Sequence, residues 1–330
     1  MKKNKTLLIA TAICILSACS NETETASELN APVEIRLSSG LDIQTRTAYE
    51  STQGEEFASG ETVYVWADEV KDPVTEYISA WVLTTGSSGA MSGSTQYYPI
   101  SGNNLNIYAI HGYFSTAPSG EFPTSPLFHT VSTSQNSEYA KSDLLFGKKI
   151  GCGRQTAAHQ LSFSHLLSKI EVYLIAGTGM TDANLTNATV TILNTKLSAN
   201  VTLDKTNGGS VAVSGTIDET TKNAITAKMQ YQTDQTVEVS GASKSSYAFG
   251  EAIIVPQWVN STGASGGTDV DFIKVTLSGG GDYIAKINKE FEAGKRYTYF
   301  VTVNASGLTL SSTIEQWGTG TTPAEGISAQ

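Results

Sequence analysis

Cysteine is scarce in this chain: Cys14, Cys19 and Cys152 are the only three in 330 residues. With the first eighteen residues removed and Cys19 used otherwise, Cys152 stands alone, so no intramolecular disulfide framework can hold the mature form. Stability must come from packed cores and strand pairing. Long apolar runs are missing too, since the run from Leu7 to Leu16 is short of the ~20 residues that a permanent membrane helix needs. Positive charge is in short supply, with 21 Lys and Arg against 31 Asp and Glu. Both halves of the chain, divided near Phe163, are acidic, which excludes the basic footprint of a nucleic-acid partner. No stretch of twelve residues keeps an apolar period of 3.6, and at best Thr181 to Asn187 and Thr220 to Lys228 read as short helices.

What the chain does have is Thr, Ser, Gly and recurrent β-branched runs. Val33 to Arg46 reads VEIRLSSGLDIQTR. Val33, Ile35, Leu37, Leu41 and Ile43 share one parity with Ser39 between them, the pattern of a half-buried strand. Leu308 to Ile314, LTLSSTI, lays over Ile35 to Leu41, IRLSSGL, with Leu308, Leu310, Ser312 and Ile314 in matching places. Between these copies runs a series of short strands, among them Thr62 to Trp66, Leu105 to Ile110, Leu161 to His165, Ile170 to Ile175 and Phe272 to Leu277. Asn207-Gly208 predicts a type I′ turn between Ala199 to Leu203 and Val211 to Val213. Strands of this length and spacing pack as sandwiches, so the fold class is all-β.

The N-terminus reads as an address. Lys2, Lys3 and Lys5 precede the short apolar run, and Leu16-Ser17-Ala18-Cys19 has the form of a lipobox, whose cysteine receives lipid and becomes the new N-terminus when a signal peptidase for lipoproteins removes residues 1–18. A polar tether follows. Arg46, in Gln44-Thr45-Arg46-Thr47-Ala48, is open to a trypsin-like cut, with Arg36 as an alternative site.

Catalytic and metal patterns fail on context. Gly263-Ala264-Ser265-Gly266-Gly267 matches G-x-S-x-G but lies in a Gly/Ser/Thr loop without a following helix. His159 and His165 share a parity but find no third ligand at suitable spacing. Trp66, Tyr97, Tyr98 and Trp258 are either a sugar platform or core. No enzyme activity, cofactor or metal site is expected.

Phe291 to Gly318, FEAGKRYTYFVTVNASGLTLSSTIEQWG, resembles the fimbrillin family of Bacteroidetes, the lipoprotein-derived type V pilins. The Cys19 lipobox, Thr45-Arg46-Thr47, the run from Leu161 through Lys169-Ile170-Glu171-Val172, and Ile254-Val255-Pro256-Gln257 add to the likeness. The resemblance implies two transthyretin-like β-sandwich domains in tandem. It implies export as an outer-membrane lipoprotein, removal of the first strand by an arginine-specific protease at Arg46 and Thr47, and polymerisation by a C-terminal donor strand entering a neighbour's vacated groove. The chain then divides into residues 1–18 as signal peptide and 19–46 as lipidated tether with the removable strand. Residues 47–163 form the N-terminal sandwich, and 164–330 the C-terminal one with its donor tail from about 305. The partners are other pilin subunits in a cell-surface fimbrium. A donor strand would hang free in the precursor. The other function class is an adhesive tip subunit, or a surface-anchored lipoprotein that binds glycan, host or bacterial surface ligands.

Overall fold

The computed structural model describes residues 31–41, 57, 59–86, 89–231, 235–317 and 324–328. Met1–Pro32 is a unit of its own, in which only Ala31 and Pro32 are described, and Val33–Gln330 is the other compact unit. The protein is all-β.

In the first half the strands are β1 (Leu37–Leu41), β2 (Thr62–Glu69), β3 (Thr75–Thr85), β4 (Met91–Gly93), β5 (Leu105–His111), β6 (Leu127–Thr130), β7 (Leu145–Cys152) and β8 (His159–His165), with helix α1 (Gln135–Ser142) between β6 and β7. Seven of them form one sheet in the order β1-β8-β7-β5-β2-β3-β4. β8 alternates buried and exposed along its whole length, and its inward Leu161 and Phe163 join Val63, Val65, Leu105 and Ile107 in one core. The aromatics Trp66 and Tyr98 belong to cores rather than to a surface platform, whereas Tyr97 is exposed.

The chain leaves this sheet between His165 and Ser168. The second half holds β9 (Ser168–Ala176), α2 (Asp182–Leu185), β10 (Thr189–Ile192), β11 (Ser198–Asp204), β12 (Gly208–Ser214), β13 (Ile225–Thr226), β14 (Lys228–Gln230), β15 (Gln235–Val239), β16 (Ala242–Ser246), β17 (Ala248–Ile254), β18 (Gln257–Val259), β19 (Val270–Thr276), β20 (Asp282–Ile287), β21 (Lys289–Phe291), β22 (Lys295–Asn304), β23 (Gly307–Gln316) and β24 (Ala324–Ser328). A six-stranded sheet, β14-β17-β9-β22-β23-β24, shares a core with the four-stranded sheet β13-β10-β19-β20 through Ile170, Val172, Val190, Phe272, Tyr297 and Val301.

Two local expectations are corrected. β11 and β12 are joined by a three-residue loop, Lys205-Thr206-Asn207, because the Asp204 carboxylate accepts the N–H groups of Thr206 and Asn207 at 2.7 and 2.6 Å. Only Gly208 takes positive φ, at 97°, whereas a type I′ turn requires it at both central residues. Thr220 to Lys228 forms turns and the strands β13 and β14, not a helix. The longer helix is α1, and its buried face is Gln135, Tyr139 and Ser142. A polar inner face leaves no apolar period to read.

The two halves are clamped by that β11–β12 loop. Lys205 Nζ donates to both oxygens of Asp68 on β2 at 2.7 and 2.9 Å and lies 4.9 Å from the centre of the Phe122 ring. On the other side, the amide of Gln135 pairs with both backbone groups of Ile253 at 2.7 Å, so that α1 extends the edge of β17 as a strand would.

Candidate functional site: the first strand and its groove

β1 is held from both sides. Along one flank it runs parallel to β8, with Leu37 opposite His159 and Leu41 opposite Phe163, and His159 donates its N–H to the Arg36 carbonyl at 2.8 Å. Along the other flank Ile35 donates to the Gln96 carbonyl at 2.8 Å, Tyr98 donates to that of Val33 at 3.0 Å, and Ser38 bridges Ala90. One short segment therefore bridges β8 to the residues on either side of β4, Ala90 and Gln96 to Tyr98, and covers the edges that these present. A sheet without that segment has two unpaired rims facing each other.

The side chains follow the predicted parity. Ile35 and Leu37 are 2% and 3% exposed inside the core, Val33 packs against it, and the Ser39 hydroxyl donates to the Gly89 carbonyl at 3.1 Å. On the outer parity Arg36 pairs with Glu34 at 3.2 Å in solvent. Burial of Ile35 and Leu37 contributes at most about 1.5–3 kcal/mol each. Cys19, Ile43, Arg46 and Thr47 lie outside the described residues, and for Leu41 the pairing of the backbone is what is described.

The second copy of the pattern, β23, is not free. It pairs antiparallel with β22 through ten residues, Lys295 opposite Gln316 to Asn304 opposite Gly307, and with β24 on its other side. Leu308, Leu310 and Ile314 are half-buried against the large core, and Ser312 is half-buried beside them. The reason is local: Ala305 and Ser306 make a tight turn, with Gly307 at φ 150°, that folds β23 straight back onto β22.

Trp317 and His165, which lie within the runs that carry the resemblance, hold the far end of β23. The Trp317 indole stacks flat on the His165 imidazole, 3.6 Å between ring centres and 9° between planes, and the Trp317 backbone N–H donates to the Gly294 carbonyl at 2.6 Å. His165 Nδ1 lies 3.0 Å from the Asp143 carboxylate. Burial opposes ionisation of Asp143, but His165 and the Leu144 N–H outweigh it and hold the carboxyl below its usual range. His159, at the other end of β8, bonds instead to the Gly153 carbonyl at 2.9 Å, so the two histidines serve separate contacts. A buried ionic cluster lies partly in the same runs, though the resemblance implies no role for its residues. Lys169 lies 2.9 Å from Glu171 and 3.2 Å from Glu251, and Thr298 donates to Glu171 at 3.0 Å. Burial works against a charged Lys169, yet the two carboxylates keep its pKa well above the usual amine range. These residues alternate with Ile170 and Val172 and so read as a solvent face; only the packing of both faces of β9 reveals them.

The G-x-S-x-G segment is a turn-built loop tied down by Asn260, whose side chain accepts from the N–H groups of Thr262 and Gly263 and donates to the Ala264 carbonyl. Strand β19 follows it, not a helix.

A model of the fimbrillin-like family matches residues 45–317. The chain belongs to the fimbrillin-like family. A provisionally named fimbrium subunit of Bacteroides uniformis, Fim1C, is 26% identical over 329 residues, 97% of each chain. Two crystal structures of proteins provisionally described as cell adhesion proteins share the fold. One, from Bacteroides uniformis, superposes with a TM-score of 0.56 at 20% identity over 86% of this fimbrillin and 98% of its own chain. The other, from Bacteroides ovatus, gives 0.59 at 18% identity over 87% and 98%. The family match leaves out β1 and β24. Among the described residues of this fimbrillin no helix is long and apolar enough to cross a membrane, and no three His, Cys, Asp or Glu side chains converge as metal ligands.

Proposed function

We propose that this fimbrillin is a structural subunit of a cell-surface fimbrium that supports adhesion, made as a lipoprotein anchored through Cys19 and polymerised after a cut behind Arg46. Residues 47–163 and 164–330 are its two sandwich domains. β1, with Val33, Ile35, Leu37, Leu41 and Ile43, is the removable strand, and Leu308, Leu310, Ser312 and Ile314 of β23 are the donor residues. Membership of the family and the whole-length likeness to Fim1C support the subunit role.

Strand direction carries the reading. β1 runs from the free end of its sheet toward the junction with the second half, ending opposite Phe163. β23 starts at Gly307, at the far end of β22, and runs back toward the junction at Trp317. Released at Trp317 and swung about Ala305-Ser306-Gly307, it would project beyond its own subunit and enter a second copy's groove at the free end. It would then run in the direction of β1, which is the direction in which LTLSSTI lays over IRLSSGL. The contact is head-to-tail and non-closing, so repetition gives a filament. Donor side chains that are half-buried at home would move to sites where Ile35 and Leu37 are nearly inaccessible, and that gain in burial favours exchange.

The groove also argues for Arg46 over Arg36 as the cut. A protease needs an extended, unpaired segment in its cleft, and the backbone around Arg36 is bonded on both flanks. Intact-mass analysis of polymer formed after limited arginine-specific proteolysis tests the proposal. The expected chain begins at Thr47, and Arg46→Ala precursor stays monomeric; a polymer chain that retains Ile35 and Leu37 overturns it. The same measurement separates the second reading, because a surface-anchored binding lipoprotein would retain residues 19–46.

A further inference from the structure

At one end of the first-half sheet β8 leads into the second half, the β11–β12 loop of which reaches along the sheet to Asp68, and the opposite end, where β1 begins, carries a collar of large apolar side chains turned to solvent. Val70 and Val74 stand in the loop after β2, Tyr77 at the start of β3, Tyr97 and Ile100 in the loop before β5, and Ile150 near the end of β7. Ile100 is 84% exposed, Val74 57% and Ile150 56%. Register places them together: Glu69 pairs with Leu105 and with Thr75, Leu105 with Cys152, and Glu34 bridges Tyr97. Solitary exposed apolar residues need no explanation, but a cluster around one opening marks an interaction surface.

The collar is built rather than frayed. The Glu69 carboxylate accepts from Lys71 at 2.6 Å, Ser101 at 2.5 Å and Asn103 at 3.0 Å, which ties the loop after β2 to the loop before β5. The Tyr77 hydroxyl donates to the Tyr97 carbonyl at 2.9 Å. Side chains on loops held in this way meet a partner with little ordering left to do.

We infer that this collar seats the body of the incoming subunit, a second copy of this chain, around the groove that its donor strand enters. The inference rests on the donor-strand reading above and adds a surface to it. Three observations choose a second copy. This end of the groove lies away from the passage of β8 into β9, where the chain's own second half begins. A strand swung out from Gly307 brings with it the end of its own sheet, where Gly177 to Met180 and Ala305-Ser306 are tied together by Ala305 N–H to the Thr178 carbonyl at 3.0 Å and by Thr178 N–H to Asn304 Oδ1 at 2.9 Å. Those segments contain no charged residue. Finally, copies with a net charge of −10 repel each other; at the collar Glu34 and Glu69 are paired with Arg36 and Lys71 and Asp72 is exposed between Val70 and Val74, so meeting a face without charged residues keeps the repulsion small.

The test compares parent, Ile100→Asp and Val74→Asp/Ile100→Asp precursors. Both sites are exposed, so the melting temperatures should match. After arginine-specific cleavage the double variant is expected to polymerise more slowly by roughly tenfold or more, on the scale of losing an interface anchor. A synthetic peptide of residues 307–317 should bind the cleaved variant as it binds the cleaved parent, because the groove is unchanged. Polymerisation at the parent rate overturns the inference, as does loss of peptide binding, which would place the defect in the groove. Loss of binding to a glycan array with polymerisation intact also overturns it and assigns the collar to a sugar. A parent that binds peptide but never polymerises refutes the assembly reading itself, and the collar with it.

Discussion

β1 and β23 read alike in the sequence and sit in different surroundings. β1 is five residues long, parallel to its neighbour, and closes a sheet whose core it enters with Ile35 and Leu37. β23 is ten residues long, antiparallel, the second arm of a hairpin, and half-buried throughout its apolar positions. Adjacent strands joined by a tight turn form early and locally, whereas β1 must find β8 across more than a hundred residues, with the larger loop-closure cost. One strand is thus deeply buried but remote in the chain, and the other shallow but tethered. If the two exchange between molecules, depth is what the donor gains and local tethering is what it gives up.

The largest effect should come from the deep site. Leu37→Asp places a carboxylate in a closed core with no partner and is expected to cost the precursor about 4 kcal/mol, read as a fall in melting temperature of roughly 10 °C. A small change would mean that β1 is peripheral and would remove the contrast. Next comes the clamp on the shallow strand. Trp317→Ala empties the face of His165 and should cost about 3 kcal/mol, with hydrogen exchange rising in the peptide from Gly307 to Gln316 more than in β1. Equal loosening of both would show that the whole fold, not the clamp, has been weakened.

Leu310→Asp sharpens the comparison from the other side. A strand hanging free would tolerate it without loss of stability, but β23 is paired and half-buried, so the expected cost to the precursor is about 1–2 kcal/mol. Assembly after cleavage should nevertheless be abolished, because the same side chain would have to enter the site of Leu37. Size-exclusion chromatography before and after cleavage measures both, and polymer from Leu310→Asp protein would rule out its donor role.

The smallest expected effect concerns the loops at the free end of β1. Hydrogen bonds from Lys71, Ser101 and Asn103 lower the Glu69 pKa to about 2. A depressed carboxyl pKa stabilises the fold above the unfolded value near 4.5 and loses that contribution as pH falls toward 2. Parent and Glu69→Gln should therefore differ modestly in melting temperature at pH 7, and the difference should shrink between pH 4.5 and 2. A difference independent of pH would show that the ionised carboxylate does not tie the loops.

Much of the first strand is legible in its residue types alone, because period-2 alternation needs nothing more, and Ile35, Leu37 and Ser39 face inward as their parity predicts. Pairing partners are not legible in the same way. Nothing in IRLSSGL shows that it lies parallel to β8, or that LTLSSTI is already engaged by β22, since pairing is a property of two distant segments and of the turn between them. Polar interiors stay hidden for a related reason. Lys169, Glu171 and Glu251, the inner face of α1, and the Asp143–His165 pair under Trp317 all look like solvent faces until a second layer covers them. Asn207-Gly208 fails to make the two-residue turn its residue types suggest because the Asp204 side chain, three residues upstream of Asn207, chooses a longer loop.

The central claim is that β23 of one copy refills the place of β1 in another, and a single crosslink tests it. Ser38 bridges Ala90 in the precursor, and the overlay that sets Leu308 on Ile35 sets Ser311 on Ser38. In a protein carrying Ser311→Cys and Ala90→Cys, oxidation after cleavage at Arg46 should give a ladder of disulfide-linked multimers on a non-reducing gel, while the uncleaved chain stays a monomer. Polymer that forms without that crosslink, or an uncleaved chain that gives the same ladder, would contradict the account.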